Sequence, residues 1–312
     1  MVIFWLVMFA VGMYVLIRAS SYFLYSAERF GYTLGIPSYL VGVTIVSLGT
    51  TLPELASSVI SMLNGAREVP AGIVVGSLVT NIFLVLAVSA IYAGHIHITK
   101  KLARADLILL IGATTLLALA LRDGVLSRPE SWLFLAAFLV YLFYAITLER
   151  TAGFGKVVPE GAHHKFGSRM IWALVIPPIF IYAGAELTIL SLTTLSEILN
   201  VGRDVLGATA LAFGTSLPEL VVSVSAITRG KSEIAVGNIL GSNIINATGV
   251  MGIAGLIGTP IVAAHMVSVG IPMMLAAAAL YYVIVREDAI SQWEGWMLLL
   301  FYAYYLGELA IF

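Results

Sequence analysis

Two carboxylates, Glu54 and Glu219, lie deep in long apolar runs, and each directly follows a proline, in Leu52-Pro53-Glu54 and Leu217-Pro218-Glu219. A charge at the centre of a bilayer costs at least ~2.5 kcal/mol on insertion scales, and such residues usually line an ion path. The proline has no N–H to donate, and its ring crowds the carbonyl four residues back, here Gly49 and Gly214. Both helices are therefore expected to break, leaving carbonyls near Gly49–Thr50 and Gly214–Thr215 without partners. Irregular backbone at that depth should line a cavity or be buried in protein. One short motif thus supplies a carboxylate, hydroxyls and free carbonyls, all hard oxygen ligands. Ser77 and Asn81 are four apart and share a helix face, and Ser242 and Asn246 repeat the arrangement. Such a set suits Ca²⁺, which takes 6–8 oxygens at roughly 2.3–2.6 Å. Two carboxylates neutralise one divalent ion, and the same oxygens could hold Na⁺ after Ca²⁺ leaves. Softer metals prefer His or Cys; no His lies in these motifs, and the chain has no Cys.

The elements that carry these groups follow from composition. Of 312 residues, 60% are hydrophobic and 11% charged, too little charge to cover a soluble surface of this size. Ten apolar segments are bounded by charged or turn residues, at 2–24, 38–62, 70–93, 104–121, 131–148, 170–196, 205–228, 233–257, 262–285 and 293–311. A run of roughly 20 apolar residues is what a helix needs to cross the hydrocarbon. The first segment lacks a basic leader and a small-residue cleavage site, so it is expected to be a membrane helix and not a signal peptide. With no basic patch, nothing points to nucleic acid, and no obligatory protein partner is evident. The lipid bilayer and small cations are the expected partners, and no cofactor is implied.

The segments repeat at an offset of 165 residues. Gly49-Thr50-Thr51-Leu52-Pro53-Glu54-Leu55 returns as Gly214-Thr215-Ser216-Leu217-Pro218-Glu219-Leu220. Gly42, Thr44, Ser58, Gly76, Ser77 and Asn81 return as Gly207, Thr209, Ser223, Gly241, Ser242 and Asn246. Five helices precede the polar 149–169 connection and five follow it. Halves with an odd number of spans, joined in series, sit with opposite orientations, the plan of many secondary transporters. The expected fold is therefore an all-α integral membrane protein of ten transmembrane helices in two inverted five-helix repeats, 1–148 and 170–312, linked by 149–169. Placing the N-terminus outside puts eleven Lys and Arg residues on inner connections and four on outer ones, with Arg18 ambiguous. That bias predicts both termini outside, the 149–169 loop in the cytoplasm, and a multi-pass protein of the cell membrane.

Other polar residues have plainer explanations. Ser58 or Thr44 taken singly fits close helix packing. Glu186 has no acidic mate, since Ser21 stands at the offset position; a packing and a pathway role are equally open. Glu308 reads as interfacial, and His95, His97, His163 and His164 as solvated or interfacial. Trp132, Trp172 and Trp293 read as interface anchors.

The paired GTTLPE and GTSLPE motifs, each followed by GSxxxN, resemble the two α-repeats of the calcium/cation antiporter superfamily, and most of all its sodium/calcium exchanger branch. The resemblance covers nearly the whole chain. It implies alternating access, with Ca²⁺ moved against a Na⁺ gradient and helices 1 and 6 sliding across a rigid core. It implies Ca²⁺ ligation by Glu54 and Glu219 with carbonyls of Thr50 and Thr215. It implies Na⁺ sites using Thr51, Ser216, Ser77 and Ser242, with main-chain carbonyls of Ser47 and Ala212, beside Asn81 and Asn246. Three departures stand out. Asn81 and Asn246 are both amides where the family commonly has one Asp. Gly237-Asn238 keeps the family's Gly-Asn pair, but Gly72-Ile73 does not. The acidic residue often found in helix 1 is absent at Ser21, although Glu186 lies in helix 6. The counter-ion therefore stays open between Na⁺ and H⁺, since Glu54 and Glu219 could also exchange Ca²⁺ for protons. A passive cation channel is the other transport class. An enzyme would need a nucleophile–base pair or a metal cluster, and none accompanies the acids.

Overall fold

The structure, a computed structural model, describes residues 1–34, 36–97, 100–151, 168–199, 216–286 and 289–311. It is helical throughout apart from one short strand pair. The helices are α1 (Val2–Leu34), α2 (Ser38–Leu63), α3 (Val69–Ala93), α4 (Lys100–Ala120) and α5 (Arg128–Thr151). They continue with α6 (Ser168–Leu199), α7 (Leu217–Thr228), α8 (Ser232–Ile257), α9 (Met266–Val285) and α10 (Gln292–Ile311). Six combine the length and apolar composition to cross a bilayer: α1, α2, α3, α8, α9 and the Met170–Ser191 stretch of α6. The 205–216 part of the expected seventh segment falls almost wholly outside the described residues.

Helix α1 is longer than its apolar run. Its 33 residues span about 50 Å at 1.5 Å each, well beyond the ~30 Å hydrocarbon. Apolar composition marks where a membrane ends, not where a helix does, so α1 continues through Glu28, Arg29 and Tyr32. Helices α3 and α8 are enclosed by protein on nearly all sides, whereas α1 keeps most of its apolar surface outward. An enclosed helix can be apolar all round, and both enclosed helices carry their polar side chains to a single place.

Helices α1 and α6 lie along each other. At their crossing, a Cβ on Gly184 would stand 2.8 Å from the Leu16 nitrogen and 3.0 Å from the Gly12 carbonyl. Only glycine lets the two backbones approach so closely.

The polar connections gather at two ends. At one, Leu126 N donates to Pro260 O at 3.0 Å, Val262 N to Gly124 O at 2.8 Å, and Arg67 Nε to Thr259 O at 2.7 Å. At the other, β1 (His95–His97) pairs antiparallel with β2 (Ala289–Ser291). His95, expected to be solvated or interfacial, is exposed there, while Ile96 faces inward opposite Ile290. This two-residue alternation is that of a strand buried on one face.

On the strand-pair end, Lys231, in the turn between α7 and α8, ties down the end of α1. Its ammonium pairs with Glu28, donates to Tyr32 Oη at 3.0 Å and lies 5.5 Å from the Tyr32 ring centroid. The hydrogen bond to Glu28, and then that to Tyr32, raise the Lys231 pKa from its ordinary 10.5. A raised lysine pKa contributes stability fully present below the unfolded value and lost as pH rises through the folded one, so the tie holds across the neutral range. Lys231→Met is expected to speed amide hydrogen exchange in the last two turns of α1 at pH 7. Unchanged exchange there would mean that the ion pair does not anchor α1.

Candidate cation site

Helix α2 presents Ser47, Thr50, Thr51, Glu54 and Ser58, all fully or almost fully buried. Their spacing of three and four places them along one face. The helix does not break at Pro53. It runs α-helical from Ser47 to Leu63, and the departure lies about two to three turns upstream of the proline, where Gly42–Val46 is wound as π-helix. The bonds on either side of Pro53 carry the helix through. Gly49 nevertheless loses the partner that an N–H at 53 would supply. In the second half, α7 starts at Leu217 with Pro218 in its first turn, where a missing N–H costs nothing. Glu219 also lies in that first turn, where the helix dipole favours negative charge.

Helix α3 brings buried Ser77 and Asn81, and α8 brings buried Asn238, Ser242, Asn243 and Asn246. Asn81 opens a π-helical stretch, Asn81–Leu86, and Asn246 opens another, Asn246–Val250. Such insertions are rare and concentrate at functional sites.

The side chains meet across the halves. Thr50 Oγ1 donates to Asn238 Oδ1 at 3.1 Å and lies 3.2 Å from Ser242 Oγ. Asn238 Nδ2 donates to Ser223 Oγ at 3.2 Å. Asn81 Nδ2 donates to Asn243 Oδ1 at 3.0 Å. The Ser47 hydroxyl is spent on the Val43 carbonyl. The carboxyl groups of Glu54 and Glu219 come close enough to act on one another by charge.

Around these bonds lies a set of buried polar atoms with no hydrogen-bond partner among the described residues: both carboxyl oxygens of Glu54 and of Glu219, Thr51 Oγ1, Ser58 Oγ, Ser216 Oγ, Asn81 Oδ1, and both ends of the Asn246 amide. An orphaned buried polar group ordinarily costs about 1–3 kcal/mol, and more when charged. So many orphans from four helices fit a hard cation, which would satisfy the oxygens and neutralise the two acids at once. Among the described residues, no group of three or more His, Asp or Glu side chains gathers anywhere, so the candidate site rests on two acids with neutral oxygens around them.

Of the residues singled out in the sequence, Ser47, Thr50, Thr51, Glu54, Ser77, Asn81, Ser216, Glu219, Ser242 and Asn246 are all buried here. Thr215 and Ala212 lie outside the described residues. Glu186 is exposed, beside Tyr182, whose hydroxyl also lies near Ser57. Two neighbours were not singled out as site residues, Asn238 and Asn243. Their mates at the repeat offset are Ile73 and Leu78, so a search for residues kept in both halves passes over them. A further buried acid, Asp106, stands apart from this set, with Oδ2 accepting from Tyr39 Oη at 3.0 Å.

The sequence matches the family described as sodium/calcium exchanger protein over residues 4–147 and 170–308. It is 29% identical to the sodium/calcium exchanger MaX1 of Methanosarcina acetivorans, an alignment covering 95% of each chain. It is 30% identical to the putative antiporter CaxA of Alkalimonas amylolytica, over 93% of each. The fold superposes on the sodium-calcium exchanger NCX_Mj, solved after soaking in 2.5 mM Na⁺ and 0.1 mM Ca²⁺, with a TM-score of 0.83 and 27% identity over 98% of this chain and 99% of that one.

Proposed function

The chain belongs to the sodium/calcium exchanger family, a family of multi-pass membrane cation exchangers, and from that premise we propose that it exchanges Ca²⁺ for Na⁺ by alternating access at a midplane oxygen site. The observation that carries this is the cluster of orphaned oxygens around Glu54 and Glu219. We assign Ca²⁺ to Glu54 and Glu219 with the carbonyls of Thr50 and Thr215. We assign Na⁺ to flanking positions built from Ser47, Thr51, Ser77, Asn81, Ala212, Ser216, Ser242 and Asn246. Two carboxylates balance one Ca²⁺; when it leaves, Na⁺ on the same oxygens keeps them from facing each other uncompensated.

The proposed architecture is ten spans in two inverted halves, 1–148 and 170–312, with both termini outside and 149–169 in the cytoplasm. The two separate clusters of connections support it. Arg67, Gly124 and Pro260 belong to outer connections in this orientation, and His95, Lys231 and Ser291 to inner ones. Helices α1 and α6, bound to each other through Gly12 and Gly184, form the pair that slides as a unit over the core and opens the site to one side and then the other. Binding energy for the ions is thereby spent in both orientations of one site, without a continuous pore.

The test is uptake of radioactive Ca²⁺ into proteoliposomes, first against an outward Na⁺ gradient and then against an outward H⁺ gradient without Na⁺. Uptake is expected with the Na⁺ gradient only. Uptake driven by H⁺ alone would keep the Ca²⁺ site and move the protein to Ca²⁺/H⁺ exchange. Ca²⁺ flux without any counter-gradient requirement would make it a channel.

A further inference from the structure

Asn81 and Asn243 meet between the two halves, both fully buried. The Asn81 amide nitrogen donates to the Asn243 carbonyl oxygen at 3.0 Å. That leaves Asn81 Oδ1 and Asn243 Nδ2 without partners among the described residues. The two ends of an amide are nearly equal in size and opposite in electrical sense. An oxygen turned toward a cation binds it, and an NH₂ turned the same way repels it. A half-turn of one bond separates the two. Any amide used as a cation ligand therefore needs something to set its direction, whereas a carboxylate, with oxygen at both ends, does not.

We infer that Asn243 is a positioning residue for cation binding: by accepting the Asn81 NH₂, it leaves the Asn81 oxygen as the end offered to the ion. The inference rests on the exchange function proposed above. The arrangement belongs to one half only, because Leu78 stands at the repeat position of Asn243. Asn246, with both ends unpartnered among the described residues, has no such anchor. The anchored pair can turn over only as a unit. If both amides rotate, Asn81 accepts from Asn243 and its NH₂ faces the site. The two arrangements differ in what Asn81 offers a cation, so a bound ion selects the oxygen-inward one. Asn243 thus acts on affinity without touching the ion.

Equilibrium binding of radioactive Ca²⁺ to purified protein tests this with the parent, Asn243→Leu, Asn81→Asp and the double variant. Leucine restores what the other half carries. Asn243→Leu is expected to weaken Ca²⁺ binding about tenfold or more, as when the partner that orients a metal ligand is removed. The double variant is expected to bind like Asn81→Asp alone, because a carboxylate needs no orienting. A loss of the same size in both backgrounds would reduce Asn243 to a packing residue and overturn the inference, as would parent-like binding by Asn243→Leu. Thermal unfolding without Ca²⁺ checks that each variant folds, and Asn243→Ala carries the same comparison should leucine not fit. A parent that binds no Ca²⁺ overturns the exchange function and this inference together. A parent that binds while Asn243→Leu binds equally well overturns this inference alone.

Discussion

Glu54→Gln and Glu219→Gln are each expected to abolish Ca²⁺ transport. Glutamine keeps the size and most of the hydrogen-bonding capacity of glutamate and removes one negative charge. On the assignment proposed above, the two carboxylates, both fully closed to solvent, together offset the double charge of Ca²⁺. At an effective dielectric constant near 20 and ~4 Å separation, one unit charge against a doubly charged ion is worth about 8 kcal/mol, far more than a thousandfold in affinity. Folding should survive, because the change also removes the repulsion between the two acids. Proteoliposome uptake and direct binding both read the effect. Near-normal transport by either variant would mean that the ion is not held between these carboxylates.

Gly241→Ala is expected to cut transport by about 10- to 100-fold through geometry alone. A Cβ at position 241 would collide with the Val43 carbonyl oxygen and come within 2.6 Å of Ser47 Oγ. Neither is the tip of a flexible chain: Val43 lies in the π-helical stretch of α2, and Ser47 is tied back to it. Helices α2 and α8 must therefore separate. Overpacking of this kind costs about 1–3 kcal/mol of stability, and a shift of about 1 Å at a positioned site can cost ~10²-fold in rate. The displaced elements carry Thr50 and Glu54 on one side and Ser242 and Asn246 on the other. Gly112→Ala, on an exposed face of α4 with nothing within 4 Å, is the control and should transport like the parent. Equal activity of the two variants would show that the α2–α8 contact does not set the site.

Most of the helices could be read from the sequence because hydrocarbon tolerates only long apolar runs. The buried polar set of the candidate site was legible because both halves of the sequence carry the same oxygens at the same offset, so that Glu54 pointed to Glu219 and Asn81 to Asn246. What escaped notice lacked such a pair or such a run. Asn243 has Leu78 for a mate, and Asn238 has Ile73. The end of α1 lies where apolar composition has already stopped. The Ile96–Ile290 strand pair is three residues long on each side, too short for a pattern to register. The π-helical stretches leave no mark in composition, since one extra residue per turn changes which groups meet and not which groups are present. The continuity of α2 through Pro53 depends on the protein packed around it, which sequence alone does not display.

The bond from Thr50 to Asn238 spans 188 positions. A ribosome adding roughly 5–20 residues per second needs about 10–40 s to cross that interval. Throughout it, α2 resides in the membrane with a polar face whose counterparts have not yet been made. A truncated product ending before α8 would therefore leave Thr50 with only the Ser47 carbonyl of its own helix, at 3.3 Å, and without Asn238 and Ser242. Synthesis is safe only if the nascent first half is sheltered, by the insertion machinery or by water drawn in around α2, until the last third of the chain arrives.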